Sequence, residues 1–97
     1  MKEKEYKFVP AYYEWHLVDE EGTVLLNMND PAEEMALCKT YDDVKTEVED
    51  FIVATKQEFD CWPDEKTIDG NTPEMFDKLP SNAVEIMAQA LYDYYVA

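Results

Sequence analysis

The chain has 97 residues, enough for one domain that buries roughly 60% of the surface its unfolded form exposes. A composition that is 46% hydrophobic and 13% aromatic excludes a disordered acidic tail. Against 23 Asp and Glu stand 8 Lys and no Arg, a formal net charge of −15, which excludes direct binding to nucleic acid or to an anionic membrane surface.

Residues 1–5 (MKEKE) are charged and read as a frayed end. From Tyr6 to Val18 (YKFVPAYYEWHLV) the chain is rich in aromatic and β-branched residues. From Tyr13 onward Tyr13, Trp15 and Leu17 fall on one side and Glu14, His16 and Val18 on the other, the alternation of a strand. Pro10 has no N–H to donate and marks an edge, a bulge or a break near the start of that strand. Asp19-Glu20-Glu21-Gly22 reads as a turn, with Gly22 free to take positive φ. Thr23 to Met28 is the returning strand of an antiparallel β-hairpin.

Asp30-Pro31-Ala32-Glu33 has the form of a helix start, an Asp cap followed by Pro at the first position. Met35 to Lys39 either completes that short helix or forms a third strand. The strand is the favoured reading, because a lone hairpin is marginal in water. Thr40 to Asp60 is the central helix. Val44, Val48, Phe51, Ile52 and Phe59, with Thr55 between, recur at steps of three and four and so share one face. Thr40 stands at the N-cap and Asp43 at the third helical position, a capping box. Pro63 stops the helix, since it disfavours helical geometry at Trp62.

Residues 64–71 (DEKTIDGN) form a polar loop with a turn at Asp69-Gly70-Asn71. Thr72-Pro73 opens a short helix through Leu79. Ser81 or Asn82 then caps a last helix whose stripe is Val84, Met87, Ala88, Leu91 and Tyr95. Ile86, Ala90 and Tyr94 widen that stripe, which predicts contact on two sides. The expected fold is therefore α+β. An N-terminal antiparallel β-hairpin or three-stranded sheet packs against a long central helix, followed by one short and one longer C-terminal helix.

Signatures of catalysis are scarce. His16 is the only histidine and reads as a plain strand residue, with no nucleophile motif near it. Cys38 and Cys61 form no CxxC, and one His cannot complete a Cys/His zinc site. The N-terminus lacks an apolar signal core, so a cytoplasmic protein with reduced thiols is expected. If Gly70 is set as the sixth residue of a calcium loop, Phe76 falls at the twelfth position, where a bidentate carboxylate is needed. No P-loop, GxGxxG, GxSxG or HExxH occurs. The expectation is a non-enzymatic protein without cofactor or metal.

What remains is charge. Its natural complement is a basic protein surface. The candidate partner-binding residues are Asp19, Glu20 and Glu21 at the turn, Asp42, Asp43, Glu47, Glu49 and Asp50 on the central helix, and Asp64, Glu65 and Asp69 in the loop. The central helix is roughly 30 Å long, and a DNA strand of that length carries about nine phosphates. The helix offers seven acids against two lysines. Mimicry of nucleic acid thus requires acids from 19–21, 33–34 or 64–69 to share its face.

In size, charge and aromatic content the chain resembles the small acidic inhibitors with which phages and mobile elements block restriction or CRISPR nucleases. That resemblance implies an anti-restriction or anti-CRISPR type of inhibitor, docked on a nuclease or another nucleic-acid-binding protein. The alternative is a small accessory module that binds one protein through an aromatic or apolar patch, since Tyr6, Tyr12, Tyr13, Tyr92, Tyr94 and Tyr95 crowd two short stretches. Monomer and homodimer are both compatible with the aromatic edge of the hairpin.

Overall fold

A computed structural model describes residues 5–97; most of the expected frayed end lies outside the described residues. The three strands β1 (Tyr6–Ala11), β2 (Glu14–Asp19) and β3 (Val24–Asn29) form one antiparallel sheet in the order β1-β2-β3. Four helices follow: α1 (Ala32–Ala36), α2 (Tyr41–Cys61), α3 (Pro73–Asp77) and α4 (Ala83–Leu91). The sheet packs against α2 and the shorter α4, an α+β fold. No helix among the described residues is long and apolar enough to cross a membrane.

The third strand is not where the sequence placed it. Met35 and Ala36 belong to α1, started by the Ala32 N–H bonding the Asp30 carboxylate at 3.0 Å. The extra strand is β1, because the single strand expected across Pro10 and Tyr13 is two strands. Ala11 pairs with Glu14, so Tyr12 and Tyr13 alone make the turn. Tyr13 takes φ +60°, the left-handed region that glycine normally fills. No Gly or Asn marks this turn, and propensity therefore hid it. The left-handed conformation costs a non-glycine residue roughly 1–2 kcal/mol. Relief of that strain exceeds the added entropy of an unfolded glycine, so Tyr13→Gly should raise stability by about 0.5–1 kcal/mol in urea denaturation. A loss of stability would show that the tyrosine ring itself holds the turn.

The second turn follows its sequence. Asp19 Oδ1 accepts from the N–H groups of Glu21 and Thr23, both at 2.9 Å, and Gly22 takes φ +84°. Alternation then divides the sheet. Phe8, Trp15, Leu17, Leu26 and Met28 are buried on the inner face, with Leu17 opposite both Phe8 and Leu26.

The capping box of α2 forms as its sequence predicts. Asp43 N–H donates to Thr40 Oγ1 at 3.1 Å, and Asp43 Oδ2 accepts from the N–H groups of Thr40 and Lys39 at 3.1 and 3.0 Å. These backbone donors, Lys39 first and Thr40 next, hold the Asp43 carboxyl below its ordinary value. A depressed folded-state pKa means the contribution is present at neutral pH and is lost as pH falls through that lowered value. Thr40→Ala should cost about 1 kcal/mol and shift the Asp43 titration midpoint upward in NMR. An unmoved midpoint would show that the hydroxyl does not help to hold the carboxylate.

Val44, Val48 and Thr55 are buried along α2, with Phe51, Ile52 and Phe59 half-buried on the same stripe. Phe59 meets Phe76 of α3 edge-on at 6.2 Å, with Lys56 over the Phe76 ring. Helix α3 ends at Asp77, short of the expected Leu79. Helix α4 buries Ala83, Met87, Ala88 and Leu91, and lies close to both α2 and β1, the two-sided contact its wide stripe predicts. Its end opens into a π turn, Tyr92–Val96. That turn sets Tyr92 against Tyr41, and Tyr94 and Tyr95 against Trp15.

Candidate functional site

The loop before α3 positions part of the site. Asp69 and Gly70 both have positive φ, +53° and +83°, the pattern of a tight two-residue turn. Ile68 and Asn71 close it with two backbone hydrogen bonds of 2.9 Å. The Asn71 side chain is fully buried. Its Oδ1 accepts from Asn27 N–H at 2.7 Å, and its Nδ2 donates to Asn27 C=O at 2.9 Å. One amide thus satisfies the strand edge of β3 as a neighbouring strand would. Asn27 Nδ2 answers by donating to Gly70 C=O at 2.9 Å. A Cβ on Gly70 would stand 3.1 Å from that nitrogen.

Docking of this loop on β3 completes a cleft of about 320 Å³. Its apolar floor includes Met28, Pro31, Phe51 and Ala54, and its walls carry Asp30, Glu34, Glu47, Asp50, Glu58 and Asp69. These carboxylates come from the residue after β3, from α1, from α2 and from the loop, and no lysine lines the cleft. On α2 the lining residues Glu47, Asp50, Phe51, Ala54 and Glu58 follow helical spacing, so one face supplies both floor and wall. No group of three or more His, Cys, Asp or Glu among the described residues is gathered tightly enough to hold a metal ion.

Of the residues named from the sequence, Glu47, Asp50 and Asp69 meet in this cleft. Asp19 and Glu20 line a separate hollow with Glu5, Lys7 and Gly22, and Asp19 is engaged by its own turn. Asp43 is engaged by the capping box. Glu21, Asp42, Glu49, Asp64 and Glu65 are exposed and do not line the cleft. Sequence reasoning left Asp30 and Glu58 out of the site and named Glu34 only among the acids that mimicry requires to join the α2 face, which it does here. Helical spacing from Glu47 and Asp50 was signal enough for Glu58. Asp30 and Glu34 depend on how α1 packs, which no local pattern reveals.

No family model, curated protein or solved structure matches this chain. The character of the cleft rests on its own residues. Six carboxylates around an apolar floor suit a long cationic side chain, with the stem on Phe51 and Met28 and the charged head among the acids. Among the described residues the one lysine–carboxylate pair is Lys45 with Glu85 at 3.8 Å, which joins α2 to α4 outside the cleft.

Cys38 and Cys61 are free thiols, and Cys38 Sγ donates to Glu34 C=O at 3.4 Å. Partial burial raises the Cys38 thiol pKa, and the nearby Glu47 and Asp43 carboxylates raise it further, so its thiolate is disfavoured. His16 lies on the outer face of the sheet, hydrogen-bonded to Glu14.

Proposed function

We propose that this is a non-enzymatic acidic protein that docks on a basic surface of another protein. In its specific form it is an inhibitor that occupies the nucleic-acid-binding surface of a nuclease or a related protein. The observation that supports it is the cleft lined by Asp30, Glu34, Glu47, Asp50, Glu58 and Asp69 with no cation among its lining residues. Carboxylates gathered this way repel one another in the free protein, and a basic partner relieves that repulsion. The concave shape favours insertion of an Arg or Lys from the partner, backed by the wider negative surface.

The test is competition. Immobilised protein should retain a basic nucleic-acid-binding protein. Added nucleic acid should displace it, and rising salt should weaken it. Retention indifferent to salt and to nucleic acid would overturn the reading.

A second reading has its own observation. Tyr12 and Tyr13 are 83% and 72% exposed at the β1–β2 turn, and Tyr94 is 63% exposed beside Trp15. Exposed tyrosines of this kind anchor protein interfaces. Binding lost on Tyr12→Ser and Tyr13→Ser, yet unchanged on charge reversal in the cleft, would favour an aromatic interaction module instead.

A further inference from the structure

The two edges of the sheet are not equivalent. The β3 edge is answered at Asn27 by the Asn71 amide. That contact also shows the hydrogen-bond phase of the whole sheet. Asn27 turns its N–H and C=O away from β2, so Trp15 and Leu17 bond to β3, and Glu14, His16 and Val18 bond to β1. Their partners Ala11, Val9 and Lys7 therefore face β2. Tyr6, Phe8 and Pro10 turn their backbone groups outward, and among the described residues none of these groups has a hydrogen-bond partner. Pro10, with no N–H, sits at a position where only a carbonyl is presented.

Beside this edge runs an open groove of about 540 Å³ between β1 and α4. Ile86 and Ala90 supply its apolar floor together with Phe8 and Val9. Glu85 on α4 and Asp93 in the π turn stand toward its two ends, with Lys7 on the strand side. Glu85 lies 3.8 Å from Lys45 and Asp93 accepts from Gln89 Nε2 at 2.9 Å, and each carboxylate keeps acceptor positions for a further donor. Two side chains two residues apart on an extended strand share a side and are about 6.6 Å apart, close to the roughly 6 Å between Ile86 and Ala90 along α4; lysines two residues further out on that side lie where their long stems reach back toward Glu85 and Asp93.

We propose that the β1 edge takes an extended segment of the basic partner as a fourth strand. Its apolar residues lie on Ile86 and Ala90, and its flanking lysines or arginines reach Glu85 and Asp93. This rests on the reading of a basic protein partner but assigns it a surface other than the cleft. A second copy of this chain is the poorer occupant, since it would set one charge of −15 against another.

The test uses a peptide about seven residues long, Lys-Lys-Val-Thr-Val-Lys-Lys. Its control, Lys-Lys-Pro-Thr-Pro-Lys-Lys, has the same charge but cannot form a ladder. In the free protein the Phe8 amide should exchange its hydrogen faster than those of Lys7 and Val9. The valine peptide should slow Phe8 exchange by about ten-fold or more, the proline peptide should not, and Ile86→Glu should abolish the effect despite adding negative charge.

Equal binding of both peptides, with NMR shifts at Glu47 and Asp50 and none in Phe8 exchange, would overturn strand addition and leave the cleft reading standing. Phe8 protected in the free protein as strongly as Lys7 and Val9 would overturn it as well. So would Phe8 protection that grows with protein concentration alone, which would assign the edge to a second copy. Binding of neither peptide would remove both this inference and support for the cleft.

Discussion

Replacing Asn71 by alanine should lower stability by about 2–3 kcal/mol, a large effect for one polar residue in a loop. The side chain is fully buried and bonds both Asn27 backbone groups, at 2.7 and 2.9 Å. Alanine removes two hydrogen bonds of about 1 kcal/mol each and leaves two strand groups poorly answered. Asn71→Asp is no rescue. A carboxylate can accept from Asn27 N–H, but it cannot donate to Asn27 C=O, and it adds charge to a chain already at −15. Urea denaturation measures the loss, and faster exchange of the Asn27 amide locates it. If Asn71→Ala stays within about 0.5 kcal/mol of the parent, the range of an ordinary surface change, the loop is held by something other than this amide.

Reversing Glu47 and Asp50 to lysine should weaken binding to a basic partner by about 100-fold at low salt. Each reversal removes an attraction of up to about 1 kcal/mol and adds a repulsion of similar size. The free protein should respond in the opposite sense. Glu47 and Asp50 are three residues apart on α2 and share the cleft wall with four more acids. Relief of that crowding should raise stability by a few tenths of a kcal/mol per pair. The informative control is Asp42→Lys with Glu49→Lys, which changes net charge by the same amount outside the cleft. If both double variants lose binding equally, total charge decides and the cleft has no special role.

Several elements were legible because their signals are local. Thr40 and Asp43 sit three residues apart on the chain, and the Val44-to-Phe59 stripe needs only helical geometry, so α2 could be read to within about a residue. The β2–β3 hairpin carries Gly22 and an Asp19 that bonds its own turn. The β1–β2 turn has no such mark. Tyr12 and Tyr13 look like strand residues, and only pairing of Ala11 with Glu14 reveals the break.

For the same reason 35–39 was misassigned. Its five residues fit either period, and the third strand thought to be missing was upstream. The site was the least legible part. Glu47 and Asp50 could be named from one helix, but their association with Asp30, Glu34 and Asp69 depends on contacts far apart in sequence. The decisive contact, Asn71 on Asn27, spans 44 residues.

The two tryptophans occupy contrasting surroundings. Trp15 is 4% exposed, stacked on Phe8 and packed against Tyr94 and Tyr95, whereas Trp62 is 64% exposed just past α2. Their light should differ accordingly, blue-shifted emission from Trp15 and water-like emission from Trp62. A Trp62→Phe chain would keep one tryptophan, seated where the β1–β2 hairpin meets the Tyr92–Val96 turn. Its colour would report whether the β1–β2 hairpin and the Tyr92–Val96 turn, distant in sequence, have come together.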